Sequence, residues 1–333
     1  MKKKQLIHSI FSLSGNSKTF EEYCLEVFNF QFENNAVYRK FCQLTGVTDP
    51  KKITGLDSIP FLPIQFFKSH TVLSDDAAAE EIFTSSGTTG SSPSKHFVTD
   101  RSVYESSFRQ TFQEFYGDIK DYVVLALLPS YLERKGSSLI YMAQDFITQS
   151  KHPESGFYLN ELDDLSAKLQ QLDNSSKKVL LLGVSFALLD LIEHKNFQLN
   201  NTFVMETGGM KGRRKEMIRE ELHAHLKKGF GVDKIHSEYG MTEMLSQAYS
   251  QGEGIFKCPP LLGVQIRDTE NPFQTLKYGK SGGLNIIDLA NINSCSFIAT
   301  QDLARKTGQN KFQVLGRFDQ SDLRGCNLLL LEN

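Results

Sequence analysis

Between Phe83 and His96 the chain reads Phe-Thr-Ser-Ser-Gly-Thr-Thr-Gly-Ser-Ser-Pro-Ser-Lys-His, and every residue from Thr84 to Ser94 is a hydroxyl carrier, a glycine or a proline. Such a stretch has no apolar side chain to bury and many small donors to offer. Gly87 and Gly90 allow positive φ and a close approach of backbone to ligand, and successive backbone N–H groups in such turns converge on anionic oxygens. Lys95 adds a full positive charge at the end. A flexible Gly/Ser linker has the same composition. Against it stand Ile82-Phe83, which reads as a strand end, and the apolar return at Phe97-Val98. A short anchored loop with the chemistry of phosphate binding is therefore expected. It is not the Walker pattern, because Gly90 is followed by Ser91 and not by lysine.

A second candidate is Ile235 to Glu243, Ile-His-Ser-Glu-Tyr-Gly-Met-Thr-Glu. A strand ending in Gly-x-Thr-Glu puts a hydroxyl and a carboxylate at a sheet edge, which suits one Mg²⁺ and the phosphates it carries. A Thr-Glu pair also opens many helices, so taken alone this segment does not separate the two readings. His223 and His225 lie two apart on a helical segment and face different directions, which argues against a metal pair and for a solvated face. Five cysteines (Cys24, Cys42, Cys258, Cys295 and Cys326) are odd in number and contain no Cys-x-x-Cys, so neither a disulfide framework nor a zinc site is indicated. A reducing cytoplasm is the expected compartment.

The elements that must position these residues alternate in type. Thr19 followed by Glu22 is a capping-box pattern, with Phe20, Cys24, Val27 and Phe28 along one helical face. A second helix from about Ala36 places Tyr38, Phe41 and Cys42 inward, with Gly46 placed to end it. Ile59 to Lys68, rich in aromatics and prolines, is a packed crossing or an apolar substrate wall. After the loop come a helix over Ser102–Phe115 and buried strands over Asp121–Pro129 and Lys178–Val184. A further strand, Thr202–Glu206, leads to Thr207-Gly208-Gly209-Met210, and a charged helix is expected from about Arg213 to Lys228, closed by Gly229. Buried strands alternating with helices predict an α/β fold with a largely parallel sheet, its ligands at the carboxyl ends of the strands. Short strand-like runs at Gly283–Leu289 and Cys295–Ala299 make the last part more β-rich. The organisation expected is a helical part over 1–80, an α/β core over 81–262, and a β-rich part with a C-terminal arm over 263–333.

The chain has 333 residues, enough for one large or two ordinary domains. With 37 basic and 39 acidic residues its formal net charge is -2, which gives no general pull toward nucleic acid or membrane. The partner expected is a small molecule or a protein. The basic start Met1-Lys2-Lys3-Lys4 is followed by Gln5, His8, Ser9, Ser12 and Ser14, which interrupt the apolar run a signal peptide needs. The longest uncharged apolar run, Val179 to Leu189, is too short to span a bilayer.

Taken in order, Thr-Ser-Ser-Gly-Thr-Thr-Gly after a strand, Tyr-Gly-Met-Thr-Glu, an Asp after Ile-Ala-Thr, and Gly-Arg-x-Asp resemble the motifs of the adenylate-forming enzymes, the acyl-CoA synthetase and firefly luciferase superfamily. The early position of the loop is similar to that in the phenylacetate-CoA ligase branch. Ile59–His70, Leu128–Arg134, Ser237–Gln247 and Gly316–Leu328 resemble the acyl-protein synthetase of the bacterial bioluminescence fatty-acid reductase, the LuxE-type family. The resemblance covers Ile59 to Leu328.

The resemblance implies an adenylate-forming large domain of mostly parallel sheets flanked by helices, without the mobile C-terminal domain of longer members. It implies ATP and Mg²⁺, and a fatty or other carboxylic acid activated as its acyl adenylate. Thr84, Ser85, Ser86, Gly87, Thr88, Thr89 and Gly90, with Lys95, would hold the β and γ phosphates. Tyr239 would lie against adenine, Thr242 would meet the α-phosphate, and Glu243 would hold Mg²⁺. Asp302 would accept from the ribose hydroxyls, and Arg317 would meet ribose or phosphate. Gly208, Gly209 and Met210 would form part of the wall between the nucleotide and acyl sites. The acyl group would pass to a thiol of the enzyme, Cys326, beside Arg324 and Gly325, and on to a partner protein such as a reductase. A buried cysteine before Leu328–Leu331 is the other reading of Cys326. Transfer to coenzyme A or a carrier protein, and a catalytically silent subunit, are the alternatives to self-acylation. The adenylation lysine of longer members has no counterpart, which leaves Lys95 or a partner to supply the charge.

Overall fold

The computed structural model of the chain describes residues 3–13, 18–85, 92–129, 136–159, 161–210, 213–215 and 217–318. The capping box expected at Thr19 is formed. The Thr19 hydroxyl accepts from the Glu22 N–H, and the Glu22 carboxylate accepts from the Thr19 N–H at 2.7 Å. This starts α2 (Phe20–Asn34), which follows α1 (Lys3–Phe11) and turns at Asn35 into α3 (Ala36–Leu44). Gly46 stands just beyond α3 at φ +95°, where a β-carbon is disfavoured. Cys24 and Cys42 are core residues, both fully buried.

The chain continues through β1 (Leu62–Pro63), α4 (Phe66–Ser69), β2 (Glu81–Thr84), β3 (Lys95–Val98) and α5 (Arg101–Tyr116). Strand–helix repeats follow: β4 (Tyr122–Leu127) and α6 (Ser138–Ser150), β5 (Gly156–Tyr158) and α7 (Leu162–Asp173), β6 (Lys178–Val184) and α8 (Ser185–His194), β7 (Thr202–Thr207) and α9 (Arg219–Phe230). Then come β8 (His236–Tyr239), β9 (Ala248–Ser250) and β10 (Ile255–Lys257). The last strands are β11 (Leu262–Arg267), β12 (Ser281–Asp288), β13 (Phe297–Gly308) and β14 (Lys311–Arg317). They form two compact units. The first comprises the described residues of Met1–Glu80, His96–Asp100 and Cys258–Asn333; the second comprises those of Glu81–Lys95 and Arg101–Lys257.

In the first unit β11, β12, β13 and β14 pair antiparallel in that order, and β1 adds to β13 in parallel, Leu62 opposite Ile298. The segment Ile59–Lys68 is a packed crossing. Ile59, Leu62 and Phe67 are buried, the Tyr38 hydroxyl donates to the Pro60 carbonyl, and the Ile64 N–H donates to the Ala299 carbonyl. Rings of Phe28, Tyr38 and Phe61 surround Phe297 at 6.2, 6.1 and 6.0 Å. Gln31 ties the helices to the turn before β13. Its amide nitrogen lies 3.0–3.3 Å from the carbonyls of Asn291, Ile292 and Ser294 and from the Ser296 hydroxyl, and its oxygen accepts from the Ser296 N–H.

In the second unit the sheet runs β10-β9-β8-β7-β6-β4-β5. Strands β8, β7, β6, β4 and β5 are parallel; β9 and β10 are antiparallel additions at one side. Strand β4 is buried throughout and β6 from Val179 onward, which is why both read as continuous apolar runs.

The charged helix differs from its expected limits. It begins at Arg219 and not Arg213, because Arg214 is drawn to Asp190 and Glu193 of α8. It ends at Gly231, at φ +66°, whereas Gly229 lies inside it, where a β-carbon would stand 2.5 Å from that of Ile192. Helices α8 and α9 pack too closely at Gly229 for any side chain.

Replacing Gln31 by leucine keeps an apolar stem but strips the partners from several buried backbone groups. The unfolding free energy should fall by roughly 2–5 kcal/mol in urea titration, against about 1 kcal/mol for loss of the cap in Thr19→Ala. Equal, small losses in both would show that Gln31 is not the tie described.

Candidate functional site

Because β4, β6, β7 and β8 run in the same direction, their carboxyl ends share one edge of the second unit's sheet. Past that edge the chain places Leu128, Ser185, Gly208-Gly209 and Gly240 to Glu243. Gly208 takes φ +70°, and its carbonyl accepts from the Ser185 hydroxyl at 3.0 Å. Helix α6 starts at the same edge, since it follows β4, and Gly136 precedes it. The Thr84 N–H donates to the Gly136 carbonyl at 2.7 Å, which ties the start of the hydroxyl-rich segment to the carboxyl edge.

The flanks of that segment are held from within. Phe83 is buried against Tyr104 at 5.3 Å and Tyr141 at 5.7 Å. The Ser85 N–H donates to the Ser94 carbonyl, and the Ser94 N–H donates to the Ser85 hydroxyl at 2.8 Å. Gly136 is demanded twice over: its φ is +82°, and a β-carbon there would lie 2.9 Å from the Ile82 carbonyl and 3.1 Å from the Thr84 hydroxyl.

Two glutamates occupy this edge on opposite faces of the sheet. Register pairs Glu206 with Ser237 and Thr207 with Glu238, and places Tyr249 beside Glu238. On one face Glu206 binds Arg219 at 2.6 Å, accepts from the Ser185 hydroxyl at 3.2 Å and lies 3.4 Å from His223. Burial alone would raise its pKa, but the charge of Arg219 and hydrogen bonds from His223 and Ser237 outweigh burial and hold it below the ordinary value. The Arg219 guanidinium also lies 4.8 Å over the Phe256 ring. On the other face Glu238 receives a short hydrogen bond from the Thr207 hydroxyl. Burial pushes its pKa up to about 7; Thr207 opposes the rise and the charge of Glu206 adds to it. Gly240 leaves room for the carboxyl, since a β-carbon there would stand 2.5 Å from Glu238 Oε1.

Of the residues singled out by sequence, Thr84, Ser85, Gly208, Gly209, Tyr239, Thr242 and Glu243 stand in the second unit, around the carboxyl edge or tied to it. Met210 and Glu243 are buried, and Tyr239 packs on Phe256 at 5.7 Å. Lys95 is exposed, one residue beyond the Ser85–Ser94 clasp. Asp302 and Arg317 belong to the first unit, where they are register partners across β13 and β14. Ser86, Gly87, Thr88, Thr89, Gly90 and Cys326 lie outside the described residues. His223 is buried between Glu206 and Ser237 and not solvated as expected, because α9 turns this face onto the sheet; His225 is exposed. Glu206, Arg219 and Glu238 were missed by sequence reading. The available signal was an acidic residue ending each of two strands that otherwise read as buried.

Among the described residues no group of three or more His, Cys, Asp or Glu could hold a metal ion, and no helix is long and apolar enough to cross a membrane. The thiols of Cys24, Cys42, Cys258 and Cys295 are buried, and burial raises the pKa of all four, to about 12 for Cys42 and Cys258. None is suited to act as a thiolate.

This mixed α/β fold resembles the large domain of adenylate-forming enzymes. It is similar to 2-hydroxyisobutyryl-CoA ligase in complex with 2-HIB-AMP and CoA, with a TM-score of 0.65 and 14% identity over 95% of this chain and 69% of that one. It is also similar to ATP-bound MatB from Rhodopseudomonas palustris, with a TM-score of 0.55 and 16% identity over 73% of this chain; the match spans 49%, about half, of the MatB chain. More particularly, the profile of the family described as Acyl-protein synthetase, LuxE matches residues 8–117. The long-chain-fatty-acid–luciferin-component ligase of Vibrio harveyi is 23% identical over 326 residues, 90% of this chain and 84% of that protein. The resemblance to the LuxE-type family read from the motifs is thus borne out.

Two measurements test the site's geometry. Gly136→Ala should lower the melting temperature, read by differential scanning fluorimetry; an unchanged value would show that the Thr84–Gly136 tie is dispensable. For Glu238, a pKa raised on folding means that its favourable contribution is full below about pH 4.5 and lost as pH rises through about 7. Glu238→Gln should therefore gain roughly 1–3 kcal/mol on wild type between pH 5 and pH 8. Parallel stability curves for the two proteins would rule out the raised pKa.

Proposed function

We propose that this chain activates a carboxylic acid with ATP as the acyl adenylate and passes the acyl group to a thiol. The observation that carries this reading is the tie of the hydroxyl-rich segment, through Thr84 and Gly136, to the same carboxyl edge that holds Gly208, Tyr239, Thr242 and Glu243. The edge fits a nucleotide triphosphate. Gly208 and the Ser85–Ser94 clasp present backbone and small hydroxyls, and Mg²⁺ is commonly held by one carboxylate together with substrate phosphates, the part Glu243 would play. Asp302 and Arg317 are assigned the ribose and phosphate contacts that the resemblance implies, and Lys95 a share of the phosphate charge.

In the first step a carboxylate oxygen of the acid attacks the α-phosphorus in line, and the bond to the bridging oxygen breaks, releasing pyrophosphate. Thr242 and the loop hydroxyls and amides stabilise charge on the phosphoryl oxygens as it develops. In the second step a thiolate attacks the acyl carbon, a thioester forms and AMP departs. The resemblance assigns Cys326 as that thiol; the other four cysteines are buried, with thiol pKa values raised by burial. A partner protein then receives the acyl group.

Acid-dependent pyrophosphate release from Mg-ATP, measured together with intact-protein mass, tests both steps. Wild type should release pyrophosphate and gain an acyl mass increment that is absent in Cys326→Ser, and Glu243→Gln should lose about 10² or more in kcat. Release without an increment would move the acceptor to coenzyme A or a carrier protein. No release with any acid, while ATP still binds, would leave the silent-subunit reading.

A further inference from the structure

The first unit contains a cavity of about 620 Å³, bounded by the Ile59–Lys68 crossing, the turn after β11 and the middle of β13. That size suits a small organic ligand. Phe41, Phe61, Phe273 and Phe318 give it an apolar wall. Phe273 is 66% exposed, a rim ring that the fold itself does not bury.

The lining also holds a cation. Arg267, the last residue of β11, lies opposite Gly283 of β12, and a β-carbon on Gly283 would stand 2.5, 2.7 and 2.8 Å from Arg267 Cζ, Nε and Nη2. Such nearly equal distances place Gly283 against the flat face of the guanidinium, and only glycine leaves room for it. The Phe318 ring lies 5.5 Å from Cζ. Nη1 donates to the Leu284 carbonyl and to the Asn285 side-chain oxygen, both at 2.8 Å, and Nη2 donates to the Thr300 carbonyl. These oxygens orient the group but carry no full charge. They take three of its five N–H groups, which leaves one on Nη2 and the one on Nε. Nε, which has no partner, is reached by solvent and not sealed in the interior. Among the described residues Arg267 forms no ion pair. Burial pulls its pKa down, and Asp302 is the acid that opposes the fall, without contact. The one acid of the lining, Asp57, is exposed at the rim, where it accepts from the Gln265 side chain at 3.1 Å.

We propose that this cavity binds an organic monocarboxylate, its carboxylate on the Nε–Nη2 edge of Arg267 and its aromatic or alkyl body among Phe41, Phe61, Phe273 and Phe318. Adjacent N–H groups of a guanidinium match the two oxygens of a carboxylate, and the match is geometric as well as electrostatic. A cation drawn partly out of water without counter-charge is costly, and a bound anion relieves that cost. The apolar wall sets the rest of the ligand. Inorganic phosphate would meet the same edge and leave the four rings without a partner. All residues of the site belong to the first unit, whereas the carboxyl edge that holds Thr242 and Glu243 belongs to the second. The site therefore stands whether or not the chain activates acids.

The test is calorimetric titration of the full chain, without nucleotide, with benzoate and octanoate beside their primary amides. Each carboxylate should bind at least about tenfold more tightly than its amide, as expected when a charged hydrogen-bonded pair replaces a neutral one. Arg267→Lys keeps the charge and loses the fork, and should bring that ratio toward one. Phe273→Ala, at an exposed rim position, should weaken acid and amide alike and leave the melting temperature unchanged, so it reads the site even if the Arg267 variant folds poorly. Equal binding of acid and amide by wild type, or acid binding that survives both substitutions intact, would overturn the site and leave acid activation standing. Binding that depends on Arg267 and Phe273, with no pyrophosphate release from Mg-ATP, would uphold the site and count against activation. If none of the four compounds binds, the site is withdrawn.

Discussion

Two acidic side chains, Glu206 and Glu238, sit on neighbouring parallel strands at one sheet edge and point to opposite faces. The second unit is arranged around the cost of burying them. An isolated buried carboxylate is strongly disfavoured, so each must find counter-charge or give up its own. Glu206 finds counter-charge. Arg219 is the first residue of α9, and its ion pair fixes where that helix begins, a start without any side-chain cap. The same arginine fills the space above Gly254, where a β-carbon would meet its Cδ at 2.6 Å, and covers Phe256. Glu238 receives a hydroxyl and no cation, and its pKa rises accordingly. One face of the edge is thus locked by charge, while the other is left polar and close to neutral.

Glycine at this edge serves proximity as much as flexibility. Gly136 brings the carbonyl that anchors Thr84 close to β2, and Gly240 makes room for the Glu238 carboxyl. Gly208 turns the chain at φ +70°, where Ser185 holds its carbonyl. Ser185 also donates to Glu206, so the turn and the ion pair share one hydroxyl. A change in the ionic cluster therefore reaches the turn through a single side chain, and from there the edge at which the phosphates are assigned.

The first unit solves a different problem, that of joining chain ends far apart in sequence. Gln31 and Asn35 meet backbone groups near Ser294 more than 250 positions away. Buried amides suit this task, because they satisfy several carbonyls at once without any charge to balance. Stacking around Phe297 fills the space beside them, and the thiols of Cys42 and Cys295 are buried within the same unit with raised pKa.

The sequence alone determined what local chemistry dictates. The Thr19–Glu22 cap, the stop near Gly46, the buried runs of β4 and β6 and the anchored flanks of the hydroxyl-rich segment at Phe83–Ser85 and Ser94 were all legible, because capping, φ preference and apolar periodicity act within a few residues. Motif order then carried the family resemblance. The tertiary structure decided the rest. Helix α9 starts late because Arg214 and Arg219 pair with residues on α8 and β7. Its end falls at Gly231 because Gly229 is needed for packing on Ile192. His223 looked like surface because nothing local reveals that Glu206, 17 positions earlier, awaits it. The contrast between Glu206 and Glu238 could not be read locally either. Both are acids at the ends of apolar strands, and only strand register, which alternates faces residue by residue, gives one an arginine and the other a hydroxyl.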